Sequence, residues 1–86
     1  MDYTDRIEKF IVDELLFGGS KGQINPDDSL FASGVLDSLS LLRLIAFLEE
    51  QYSVIVNDTE VVPDNFQSIN EINSFVTKKI KEKQAQ

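Results

Sequence analysis

The residues whose types and spacing could do chemistry lie together in Gly34-Val35-Leu36-Asp37-Ser38-Leu39. Asp37 is a good helix N-cap, because its carboxylate can accept hydrogen bonds from the first unpaired N–H groups of a helix. Ser38 is then the first helical residue, with a short hydroxyl side chain at the helix mouth. A phosphate placed on that hydroxyl would sit at the positive end of the helix dipole, near unpaired N–H donors. The stretch therefore offers a site for attaching a phosphate-linked group. The plainer reading is a capped helix start and nothing more, since Asp or Ser ahead of an apolar run is commonly only a cap. The flanking elements have to decide.

The bulk composition removes many other chemistries. The chain has 86 residues, enough for one small domain over 1–86 with a single core, and its apolar fraction of 42% is that of a globular protein. It has no cysteine, so disulfides and thiolate metal sites are excluded. It has no histidine either, which removes Ser-His-Asp catalysis, zinc-hydrolase chemistry and the usual general base. A net charge of −7 argues against nucleic acid as a partner. Eight of the 15 acids fall in residues 21–64 against two bases, whereas residues 65–86 hold two acids and four bases. That excess is either a solvated surface or a field that steers basic partners. The first residues are acidic, unlike a secretory signal, and no apolar run reaches membrane-spanning length, so the expected setting is the cytoplasm.

The elements that must position Ser38 can be read from periodicity. Ile7, Phe10, Ile11 and Leu15 recur at helical spacing and predict a helix over 4–17, ended by Gly18-Gly19. Residues 18–36 form a long connection with turn signals at Gly22 and Asn25-Pro26, anchored by Leu30, Phe31 and Val35. The second helix is predicted over 38–51. Its core stripe is Leu41, Leu44, Ile45 and Leu48, with Tyr52 following. Leu39, Leu42 and Ala46 fall on nearly the opposite side, accompanied by Arg43, Glu49 and Glu50. Two readings stand for that second set: a docking face for a partner, or packing beneath the loop through Phe31 or Val35. Val54-Ile55-Val56 reads as an extended crossing. Asn57 or Asp58 then caps a brief helical turn through Val61 and Val62, stopped by Pro63. Ser68 and Glu71 have capping-box spacing and open a last helix with the inner stripe Ile69, Ile72, Val76 and Ile80. The domain core is expected over about 4–80, with 81–86 frayed. Three substantial helices and a short one predict an all-α bundle.

With these elements on both sides of Asp37-Ser38-Leu39, the chain resembles the acyl carrier protein family, which includes aminoacyl carrier domains. The resemblance runs from about Ile7 to about Ile80. It implies a right-handed four-helix bundle whose Asp-Ser-Leu serine, here Ser38, receives 4'-phosphopantetheine from coenzyme A through a phosphopantetheinyl transferase. Asp37 and Leu39 would flank the attached group. Substrates would ride on the arm's thiol as thioesters, loaded by an acyl- or aminoacyl-ligase and passed to biosynthetic enzymes of fatty acid, polyketide or nonribosomal peptide type. The chain itself would be a monomer with no catalytic activity, which suits its lack of His and Cys. The family's docking surface maps onto Leu39, Leu42, Arg43, Ala46, Glu49 and Glu50, with Val61 nearby.

This chain also departs from the fatty-acid type. Ser40 and Arg43 stand where that type commonly has acids, and Leu36 is bulkier than the residue usual before Asp37. The resemblance therefore points to a stand-alone specialised carrier, with a D-alanyl carrier among the alternatives. Arg43 is expected to select a partner with an acidic rim. Leu41, Leu44, Val62, Phe66 and Ile72 are candidates to line a cavity for cargo. A competing class is a non-catalytic helical adaptor in which Asp37 and Ser38 are caps only.

Overall fold

The computed structural model describes residues 2–15 and 25–84. The helix end expected at Gly18-Gly19 and the turn signal at Gly22 lie outside them. Helix α1 spans Thr4–Phe10 and continues as a π-helical segment over Ile11–Leu15. Ile7 and Ile11 are fully buried, and Phe10 and Leu15 pack on the edge of the core. The Tyr3 N–H donates to the Asn73 side chain at 2.7 Å, which ties the start of α1 to the last helix. α2 spans Ser38–Tyr52 and ends as Ser53 turns left-handed at φ 56°. α3 is the short Pro63–Phe66 and α4 runs Ile69–Gln84. The domain is thus a bundle of four helices, three of them seven residues or longer.

The stripes read from periodicity meet in one core. Leu44, Ile45 and Leu48 of α2 share one buried cluster with Ile7 and Ile11 of the first helix, Ile69, Ile72 and Val76 of α4, Leu30 and Leu36 of the connection, and Phe66. Leu41, Tyr52 and Ile80 lie at its margin, half-buried. The sequence reading had no place for Phe47, Phe75 and Leu36. Phe47 stacks on Phe10 with ring centroids 4.2 Å apart and an interplanar angle of 17°. Phe75 meets Phe66 at 5.3 Å. The first pair joins α1 to α2 and the second joins α3 to α4, each beyond simple area burial.

One expectation needs correction. Pro63 does not stop the short helix but starts it: the turn at Asp58–Glu60 is a separate 3₁₀ segment, and Pro63 opens α3. The reason is that a first-turn position needs no N–H and suits proline's fixed φ. The last helix, α4, is helical to Gln84. The candidate cavity residues differ in burial. Leu44, Phe66 and Ile72 are fully buried core residues, whereas Val62, extended as a residue before proline must be, is 39% exposed.

Glu60 holds the second connection together. Its carboxylate accepts the Asn57 N–H at 2.9 Å and the Lys79 ammonium at 2.9 Å, and its carbonyl accepts the Asn65 side chain at 2.8 Å. The Glu60 and Lys79 side chains are only 22% and 11% exposed. The Asn57 N–H above all, then the Lys79 charge, hold the Glu60 carboxyl below its ordinary value of 4.5. A depressed carboxylate stabilises the fold above the unfolded value, and that contribution is lost as pH falls through the folded value. Glu60→Gln should therefore lower stability by about 1 kcal/mol at neutral pH. Urea unfolding should show the gap between variant and wild type narrowing as pH falls below 4.5 and closing once it has passed the lower folded value, where the Glu60 carboxyl is protonated.

Candidate functional site

Ser38 is delivered by a connection that is braced along its whole described length. Asn25 makes an Asx turn, its side chain accepting the Asp27 N–H at 2.9 Å. The next residues dock on the start of α4. The Asn70 N–H donates to the Pro26 carbonyl at 3.1 Å, and the Asn70 side chain donates to Asp27 at 2.6 Å. The Leu30 N–H donates to the Gln67 carbonyl at 2.7 Å, and the Leu36 N–H returns to the Leu30 carbonyl at 3.0 Å. Leu30 and Leu36 are both buried, each worth about 1.5–3 kcal/mol of apolar transfer. Between them Gly34 takes φ +83°, a left-handed turn in which a side chain would be strained. The bulky Leu36 is thus the plug that fixes where the next residue begins.

Asp37 is extended, and its carboxylate accepts the Ser40 N–H at 2.9 Å, while its carbonyl accepts the Leu41 N–H at 2.8 Å. Hydrogen bonds to the carboxylate, the Ser40 N–H first, hold the Asp37 carboxyl below its ordinary range. The neighbouring Ser38 is the first residue of α2 and is exposed. The cap is thus built by Asp37 from the side, and Ser38 itself is left exposed. An incoming phosphate would meet a helix N-terminus, where dipole and N–H groups favour anions. Among the described residues no group of three or more His, Cys, Asp or Glu side chains could hold a metal ion.

The second face of α2 is open. Leu39 is 70% and Leu42 62% exposed, and Ala46 and Glu50 also face solvent. Phe31 and Val35 pack against the core instead of covering them. The other residues mapped to this surface are engaged within the fold. Arg43 donates to the Glu14 carbonyl at 3.2 Å and lies 3.5 Å from the Glu14 carboxylate. Glu49 accepts the Val56 N–H at 2.9 Å, and Val61 packs on the core. Periodicity places these residues on a side of the helix but cannot see the segments that fold back onto them.

An exposed serine, capped from its neighbour at the start of the second helix of a small bundle, defines a carrier domain. The family model for the phosphopantetheine attachment site matches residues 12–76. The chain belongs to this family, whose prosthetic group is phosphopantetheine. The acyl carrier protein of Solidesulfovibrio magneticus is 30% identical over 79 residues, covering 92% of this chain and 96% of that protein. The D-alanyl carrier protein of Streptococcus mutans is 32% identical over 77 residues, covering 90% and 94%. The solved structure of apo KstB-PCP is 35% identical and superposes with a TM-score of 0.77, covering 91% of this chain and 86% of that one.

The Asp37 cap is testable by itself. Asp37→Ala should lower the urea midpoint, Asp37→Asn should retain most of it, and the wild type should lose the cap's contribution as pH falls through the depressed Asp37 value.

Proposed function

We propose that Ser38 carries the 4'-phosphopantetheine arm and that the chain presents acyl or aminoacyl thioesters to partner enzymes without catalysing a step itself. The observation that carries this is the exposed Ser38 at the mouth of α2, with the capping done by Asp37. In the transfer, the Ser38 oxygen forms a bond to the phosphopantetheine-side phosphorus of coenzyme A, the diphosphate P–O bond breaks to release adenosine 3',5'-bisphosphate, and the serine proton leaves to a base of the transferase. When bound, the group supplies a thiol that holds cargo as a thioester. The relatives divide between an acyl and a D-alanyl carrier, which supports cargo of either class.

Leu39, Leu42 and Ala46 form the apolar centre of the proposed docking face, with Glu50 and the Arg43–Glu14 pair on its rim. The pair is exposed, at 44% and 54% of each side chain, so it is worth at most about 1 kcal/mol. A carboxylate on a transferase or loading ligase can therefore compete with Glu14 for Arg43. This supports Arg43 as a selector of acidic-rimmed partners.

Incubation with coenzyme A and a broad-specificity phosphopantetheinyl transferase should add one phosphopantetheine mass to the wild type and none to Ser38→Ala, with unchanged circular dichroism. A wild type that stays unmodified would favour the adaptor reading, in which Ser38 is only part of a cap. Arg43→Glu should slow loading by the cognate ligase, mainly through association rate at low salt. Stopped-flow loading at two ionic strengths reads this, and unchanged rates would remove Arg43 from partner choice.

A further inference from the structure

Asn70 is a polar residue with no task in its own helix. It is exposed, so it adds nothing to the core. It lies in the first turn of α4, where asparagine is a poorer helix former than alanine. The cap of that turn does not use its side chain, because the Ser68 hydroxyl accepts the Glu71 N–H at 3.2 Å. Both N–H donors of Asn70 go to the connection instead. Its backbone N–H, one of those a helix start leaves unpaired, donates to the Pro26 carbonyl at 3.1 Å. Its side-chain amide donates to the Asp27 carboxylate at 2.6 Å, a charge-assisted bond between residues 43 positions apart. The Leu30 N–H fastens the same stretch to the Gln67 carbonyl, and the Leu30 carbonyl accepts the Leu36 N–H. Leu36 leads directly into Asp37 and Ser38.

We infer that Asn70 is a positioning residue for the modification of Ser38. It acts through Pro26 and Asp27, which keep the connection ordered ahead of Leu30, Leu36 and the capping Asp37. A transferase then meets a connection already in place and does not have to order it on docking. Without the clamp only a fraction of molecules presents Ser38 in that arrangement, and apparent affinity falls by that fraction. The inference rests on the Ser38 reading and adds to it a residue from another helix.

The test is steady-state phosphopantetheine transfer from coenzyme A by a broad-specificity transferase, with the full chain as the varied substrate. Asn70→Ala and Asp27→Ala should each raise KM about fivefold with kcat unchanged, the pattern of lost binding rather than lost chemistry. The double variant should be no worse than either single one. Asn70→Asp sets two carboxylates against each other and should raise KM at least as much. Adding Asp27→Asn to it exchanges donor and acceptor and should restore the wild-type KM. Amide hydrogen exchange at Leu30 and Leu36 should quicken in both Ala variants and slow again in the exchanged pair. Ile80→Ala, toward the other end of α4, should lower the urea midpoint and leave KM unchanged. KM unmoved in Asn70→Ala, raised alike in Ile80→Ala, additive across the pair, or not recovered by the exchange would each overturn the inference and leave the Ser38 reading standing. No transfer to the wild type would remove both.

Discussion

The structure depends on how the first turn of α2 is capped. A helix start has N–H groups that something must satisfy, and the shortest solution would use the serine. Here Asp37 does it, by accepting the Ser40 N–H from an extended backbone. That division leaves Ser38 inside the helix but outside the capping network. Its position is then set by the helix, and its oxygen remains available. The cap and the exposed hydroxyl residue are thus adjacent but separate, so ordering the helix start does not consume Ser38.

A cap fixes a residue only if the chain arriving at it is itself fixed. The connection before Asp37 is long, and a loop of that length would ordinarily wander. Its described half is instead fastened to the start of α4 by Pro26, Asp27 and Leu30, and closed on itself by the Leu36–Leu30 hydrogen bond. Burial of Leu30 and Leu36 adds several kcal/mol, enough to offset the ordering of a few residues. The start of α4 is braced in turn, since the Ser68 side chain accepts the Glu71 N–H. The site therefore rests on the first turn of a helix that never touches the serine.

Periodicity made much of this visible, and it is clear where it stopped. The stripes of α1, α2 and α4 were legible because burial on one face imposes a period on the sequence. Leu39 and Leu42 were legible as a second face, but whether that face is covered depends on where Phe31 and Val35 go, and those have no period. Phe47 was missed because its partner, Phe10, is 37 positions away in sequence. Pro63 was misread because a proline that ends one segment and one that begins the next look alike without backbone geometry. Glu49 and Arg43 read as a charged rim to the second face of α2, yet each is claimed by a backbone group from another segment. Sequence shows which side of a helix a residue is on, and tertiary structure shows what else is there.

The open face of α2 then takes on a physical sense. A fully apolar patch would aggregate or bind too tightly to release, and a fully charged one would lack an anchor. Around Ser38 the leucines stand exposed while the nearby charges are engaged within the fold, Arg43 with Glu14 and Glu49 with a backbone N–H. In the docking role proposed for this face, the apolar contact supplies affinity, and the exposed Arg43–Glu14 pair, exchanged at little cost, supplies discrimination. A face of this mixed kind releases its partner readily, whereas a stronger one would make release the slow step.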